Sequence, residues 1–487
     1  MNIESTISAT YNWCQFTPAF ALVGLAALLL MADTFLPKVP KRLYAFIGAA
    51  GAFLAAYFMA KAPHFNTFGF LACFSTGLCL LLAFDYKAIS CASIGGEGNE
   101  EGTGEFYALP LVACAGILCL TQAKDLIMLF VSLEVITLTS YVLTGYFRRN
   151  QGSIEAGIKY LVLGALSTGL LVFGAAWYFG MSGSFSLDTD VIASALRGGV
   201  AGTATVAVGF LMAVALLFAG AFFKVGAAPM HVWIPDVYQG APTPTTAWLA
   251  VASKTAGFAM LCALVVPFVP LAIPGTNLGN IFICTFSLVA AATLLIGNLG
   301  ALRQNNAKRL LGYSSIGQAG FIMVFFLNLN GALEFLVSQY LLAYTLATVG
   351  AFYAIAMVRT QRGSEEIAAF RGLGKSNPRT AFLITVCMAS LAGVPLTMGF
   401  LVKMYSFIAL VGAVQYTSCL YWLLGIMIIC AAAGFYYYFK MIRAMYWDKA
   451  QPEDKPLCVP VSTGIVLSLC TLALIILGTL PLLVSFQ

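Results

Sequence analysis

Five ionisable residues of this 487-residue sequence fall inside long apolar runs, where a charge is costly and rarely accidental: Glu134, Lys159, Lys224, Lys254 and Lys403. Such groups suit one kind of chemistry. Removal from water disfavours the charged form of an amine or a carboxyl, whereas an opposite charge nearby favours it. A lysine that alternates between a paired and an unpaired state therefore takes up and releases a proton. Glu134 is the one acid at mid-span depth, in LFVSLEVITLTSYVL. With Glu134 close, Lys224 stays charged; when the pair opens, Lys224 can pass its proton to the next site. Lys254 is the natural relay near the centre, and Lys403 the donor toward the far exit. Moving one proton against 100 mV costs about 2.3 kcal/mol, and a change of pairing at low dielectric supplies energy of that order. Lys159 stands nearer a span end and has two readings, a snorkelling surface lysine or a secondary member of the set. His231, two residues after Pro229, is either a satisfied polar group or a proton relay or gate. His64, at a span edge, has no expected role. Asp236 could cap a following helix or begin a path for protons.

Stepping these groups into place requires helices that break. In Phe222 to Phe258, FFKVGAAPMHVWIPDVYQGAPTPTTAWLAVASKTAGF, two lysines flank Pro229, Pro235, Pro242 and Pro244. A proline inside a membrane helix frees a backbone carbonyl, which needs protein or water as a new partner. A broken helix with a charge beside the break points to a polar cavity at membrane depth. With 61% hydrophobic and 9% charged residues and a mean hydropathy of +0.91, the chain reads as an all-α, polytopic membrane protein. About fourteen transmembrane helices are expected, with the seventh (Thr205–Val237) and twelfth (Thr380–Val411) too long for a simple crossing and each carrying a proline, Pro229 or Pro395. Lysines and arginines divide eighteen to three between the two sets of loops, Lys308 and Arg309 being counted among the eighteen. The richer set belongs in the cytoplasm, which puts both termini outside. Lys224 precedes its proline and Lys403 follows its own, so two inverted five-helix repeats are expected. The expected division is 1–105, three helices and a Gly-rich acidic cytoplasmic loop (Lys87 to Glu105); 106–268, the first repeat; 269–446, the second; and 447–487, a last helix. The polar loop Gln361 to Arg379 could pack on a neighbouring subunit. The net charge of +6 sits in short loops and is no nucleic-acid signal. The 13 cysteines form no CxxC pair or His cluster, so no metal or iron–sulfur site is expected, and no nucleotide loop or Ser/His/Asp set stands out.

Five segments resemble one family: LEVITLTSYVLTGY around Glu134, FKVGAAPMHVWIPDVYQGAPTP around Lys224, ASKTAGF at Lys254, AKRLLGYSSIGQAG from residue 307, and GVPLTMGFLVKMYSF around Lys403. They are similar to the antiporter-like membrane subunits of NADH:quinone oxidoreductase, respiratory complex I, and the likeness covers essentially the whole chain. The PDVYQGAP wording and a lysine, not a glutamate, at position 403 fit one branch of that family, without the C-terminal lateral helix of its longest sister. The resemblance implies broken seventh and twelfth helices, Glu134 and Lys224 as the switching pair, Lys254 as relay, Lys403 as terminal residue, and a family lysine at Lys159. It implies proton translocation driven by electron transfer in other subunits: the complex uses NADH, FMN, iron–sulfur clusters and quinone, and this chain binds none of them. Expected partners are those other subunits, sister antiporter-like subunits among them, and membrane lipid. The expected location is the bacterial inner membrane, with both termini periplasmic. A multisubunit cation/proton antiporter and a membrane-bound hydrogenase share the broken-helix pattern and are the alternatives; a passive scaffold does not explain four intramembrane lysines.

Overall fold

The computed structural model describes residues 13–36, 39–61, 65–85, 104–197, 204–272, 276–328, 332–414, 420–449 and 457–479. Among them no strand forms. The chain is a bundle of apolar helices, because a segment in hydrocarbon must satisfy its own backbone groups. In order these are α1 (Thr17–Phe35), α2 (Lys41–Lys61), α3 (Thr67–Asp85), α4 (Gly104–Leu120), α5 (Leu126–Thr144), α6 (Gln151–Ser182), α7 (Ala204–Val225), α8 (Trp233–Gly240), α9 (Thr243–Val265), α10 (Asn277–Leu302), α11 (Ala307–Met323), α12 (Leu333–Arg362), α13 (Pro378–Ala392), α14 (Met398–Val414), α15 (Tyr421–Tyr446) and α16 (Val461–Thr479). Twelve helices of the described residues are long and apolar enough to cross a membrane, and α4, α13 and α14 are shorter apolar helices. The Lys87–Glu105 loop falls mostly outside the described residues, as does His64; Glu105 itself is in the first turn of α4.

Side-chain caps set several starts. Asp125 accepts from the Met128 amide at 2.8 Å before α5, and Asn306 accepts from the Arg309 amide at 3.0 Å before α11. That cap corrects one expectation. The helix begins at Ala307, so Lys308, counted above among the loop residues, is helical and fully buried. Likewise α6 starts at Gln151, which carries Lys159 to its third turn instead of its end.

The expected seventh and twelfth helices are both interrupted, and the two stops share one geometry. At the first, Gly226 has φ +74°, its N–H bonds the Phe223 carbonyl at 3.1 Å, and the Ala227 N–H bonds the Phe222 carbonyl at 2.9 Å. At the second, Gly393 has φ +90°, its N–H bonds the Ser390 carbonyl at 3.0 Å, and the Val394 N–H bonds the Ala389 carbonyl at 2.9 Å. This is the Schellman stop, which a left-handed glycine closes without a Cβ clash. The chain resumes as α8 and α14. The innermost helices are α9, α11 and α12, buried along nearly their whole length. They carry the polar groups described next.

Candidate functional site

Lys224 lies two residues before the first stop, in the last turn of α7. It is buried, and its Nζ has no hydrogen-bond partner. Around it, Tyr160 stacks on Trp233 with ring centroids 4.6 Å apart, and the Trp233 indole N–H donates to the Phe223 carbonyl at 3.1 Å. The break is tied to α10 by the Ala228 amide, which donates to Thr293 Oγ1 at 2.9 Å. Glu134, on α5, is half-buried and accepts from Thr168 Oγ1 at 2.9 Å. It is near enough to act on Lys224 through space, yet no ion pair joins the two. His231 sits in the turn between α7 and α8, half-buried, and its Nδ1 has no partner.

Lys254 stands mid-way along α9. Its Nζ donates to Ser315 Oγ at 2.6 Å and to the Ser315 carbonyl, with the Tyr344 ring 5.6 Å away. Ser315 Oγ is also 3.3 Å from the Tyr238 hydroxyl. Lys403, in the second turn of α14, reaches back across the second stop. Its stem crosses Gly393, and its Nζ donates to the Leu391 and Ala392 carbonyls, each at 2.8 Å. Those are carbonyls that the end of α13 leaves without helical partners, at the negative pole of the helix. The Phe321 ring lies 5.3 Å from the same ammonium.

The remaining candidate, Lys159, belongs to a separate cluster. It pairs with Glu155 at 2.6 Å and with Asp236 at 2.7 Å, and its side chain is 41% exposed. Asp236 also holds Arg309 at 2.8 Å. Asp236 does not cap the helix that follows: α9 has no side-chain cap, and the carboxylate bridges α6 to α11 instead. Glu155, Asp236 and Arg309 line a polar cleft of about 340 Å³ together with Glu365 and Arg359.

Behind the cleft lies a residue the loop tally concealed. Lys308 Nζ bonds Glu365 at 2.8 Å and the Ala241 carbonyl at 2.8 Å, and Arg359 shares the Glu365 carboxylate. The loop carrying Glu365 is held on α11 by Ala307 N–H to Glu365 C=O at 2.8 Å. Glu365 is thus engaged inside the chain, within the Gln361–Arg379 loop. Also missed were the hydroxyls and amide linking α11 to α12, α13 and α15. Ser314 Oγ bonds the Tyr438 hydroxyl. Gln318 Nε2 donates to Tyr438 OH at 3.1 Å and to the Leu391 carbonyl at 3.1 Å, and Tyr340 OH donates to Gln318 Oε1 at 2.5 Å. Their signal was polar density inside spans, in GYSSIGQ and LVSQYLLAYT. Among the described residues no three His, Cys, Asp or Glu side chains come together to hold a metal ion.

Chemically, the arrangement is a row of buried amines. Lys254 and Lys403 face groups that accept hydrogen bonds, as an ammonium requires, while Lys224 faces none. Comparison with known proteins gives this row a context. Residues 123–430 match the family model described as NADH:quinone oxidoreductase/Mrp antiporter, TM. NADH-quinone oxidoreductase subunit N of Brevibacillus brevis is 34% identical over 98% of this chain and 94% of its own. Subunit N of Bacillus anthracis is 34% identical over 97% of this chain and 94% of its own. Respiratory complex I from Thermus thermophilus with bound Aureothin contains a chain with TM-score 0.74 and 29% identity, over 95% of this chain and 98% of that one. A chain of the Mrp complex from Dietzia has TM-score 0.75 at 18% identity, over 96% and 95% of the two chains, which is a likeness of fold.

Proposed function

The chain belongs to the NADH:quinone oxidoreductase/Mrp antiporter transmembrane family, and we propose from its buried amines how it does that family's work. It is a multi-pass, proton-translocating membrane subunit of an NADH:quinone oxidoreductase, and its partners are the other subunits of that complex, antiporter-like sisters included. The near full-length likeness to subunit N favours this over a stand-alone cation antiporter or a hydrogenase arm. Electrons pass from NADH to quinone in the other subunits, which hold the FMN and iron–sulfur clusters; this chain binds none of them and supplies the translocating half. It sits in a bacterial inner membrane with the Lys159–Asp236 cleft toward the cytoplasm and both termini toward the periplasm.

One observation carries the mechanism: three lysines are buried at or beside the two breaks and on the central helix α9, two of them donating to oxygen acceptors and one with no partner. Lys254 and Lys403 are built to hold a proton, and Lys224 to have given its proton up. Protons gather at the cleft, where Asp236 and Glu155 keep Lys159 company. They reach Lys224 past the break, with His231 beside the route. When Glu134 leaves Thr168 and pairs with Lys224, the ammonium forms; when it returns, the proton is driven on to Lys254 and then to Lys403. The magnitudes suffice. An ion pair at about 4 Å is worth roughly 4 kcal/mol at an effective dielectric of about 20, and doubling the separation forfeits about half of that. The resulting ~2 kcal/mol matches the work of moving one charge against about 100 mV. Both breaks end in the same Schellman geometry and each has a buried lysine beside it, Lys224 before the first and Lys403 after the second, an arrangement that supports two inverted repeats over 106–268 and 269–446.

Lys224→Ala and Glu134→Ala each test the assignment. In the purified complex both should abolish most quinone-linked turnover and proton pumping, while NADH oxidation by an artificial acceptor continues. Wild-type pumping in both variants would refute the switching pair.

A further inference from the structure

Between Lys254 and Lys403 runs a line of hydrogen bonds with one gap, a single backbone step from Ser315 to Ser314, and it does not conduct. From Lys254 they run to Ser315; one residue along, Ser314 meets Tyr438; Tyr438 accepts from Gln318; Gln318 donates to the Leu391 carbonyl; and that same carbonyl accepts from Lys403. A hydroxyl or a water can receive a proton on a lone pair and release another. A neutral amide nitrogen offers no such lone pair, and a backbone carbonyl only accepts. Passing a proton through Gln318 would demand an imidic tautomer. Both of its N–H groups are used and its oxygen is held by Tyr340 at 2.5 Å, so the amide is fixed from three helices and buried. Beside it is a cavity of about 10 Å³, bordered by Gln318, Tyr340, Tyr344, Leu391 and Lys403. That is the lower bound of room for one water.

We propose that Gln318 is the positioning residue that keeps the link between Lys254 and Lys403 closed to protons. It acts through Tyr438, Tyr340 and the Leu391 carbonyl, and the adjoining cavity is the place where a water completes the link when the amide turns. No bond between heavy atoms forms or breaks; once Lys403 has released its own proton toward the exit, one N–H bond of the Lys254 ammonium breaks and, through water, one N–H bond forms on the Lys403 amine. This rests on the translocation assigned above and adds what stops the proton from running back.

The test uses the whole complex in proteoliposomes, reading protons moved per NADH oxidised under increasing imposed membrane potential. Gln318→Glu keeps the shape and inserts a group that can relay protons. Its ratio should fall below wild type, and fall further as the potential rises. Gln318→Met cannot relay; its turnover should drop several-fold with the ratio preserved. Tyr340→Phe frees the amide oxygen and should reproduce the potential-dependent loss of ratio in milder form. A merely structural role would lower turnover alike in all three and leave the ratio unmoved, which overturns the proposal. So would a wild-type ratio at every potential in Gln318→Glu and Tyr340→Phe. Lys403→Ala in the same liposomes separates the two levels. If it pumps normally, the translocation assignment itself fails; if it does not pump while Gln318→Glu keeps a wild-type ratio, only the role of Gln318 fails.

Discussion

Lys308 and Lys224 are both buried amines, and their surroundings assign them opposite duties. Lys308 has a permanent carboxylate, Glu365, and a backbone carbonyl; Lys224 has neither. A buried pair that loses one partner leaves a charge stranded, at a cost on the order of 3–5 kcal/mol, whereas exchanging both partners for apolar groups is often neutral. Glu365→Ala should therefore lower the melting temperature of the complex markedly, and Lys308→Met combined with Glu365→Leu should recover most of the loss, since part-exposed Arg359 can turn to water. Equal melting of single and double variants would contradict a structural clamp. The sequence marked Lys159, Lys224, Lys254 and Lys403 because each interrupts an apolar run. Lys308 escaped because it stands beside Arg309 at the head of a span, where a topological charge looks the same as a buried one. Whether Glu134 touches Lys224 was not legible at all: pairing is a distance between two helices, and that distance is what the proposed switch changes.

At the scale of elements, the two stops do the positioning. Prolines 229 and 395 announced them, but glycines make them, through the left-handed backbone at Gly226 and Gly393. A Cβ at Gly393 would lie 2.9 Å from Lys403 Cδ. Gly393→Ala should thus cost about 1–2 kcal/mol in backbone strain and push Lys403 off the Leu391 and Ala392 carbonyls, reducing pumping-coupled turnover. Gly180, in α6 with open space where a Cβ would go, is the control, and Gly180→Ala should leave turnover unchanged. Normal turnover in Gly393→Ala would mean that the stop does not set the lysine. The break positions were readable from proline and charge. The short separate helix α8 was not, because its residues continue the apolar pattern of α7 across the turn.

For the whole molecule, the orientation proposed from the loop charges has a direct consequence for two exposed native cysteines. A membrane-impermeant maleimide should reach Cys14, ahead of α1, from the periplasmic side, and Cys458, ahead of α16, from the cytoplasmic side. The reverse pattern would invert the pump's direction relative to its cleft. Fold class and the seventh and twelfth breaks followed from composition and motif alone. The polar line through α9, α11 and α12 did not, since it is assembled from common residues that become special only once three helices bring them together. Lys254 is the point through which that line must pass. The most direct measurement is the ratio of protons pumped to NADH oxidised in proteoliposomes carrying Lys254→Ala. The account predicts that pumping and quinone-linked turnover collapse together while artificial-acceptor activity survives; a wild-type ratio at wild-type turnover would contradict it.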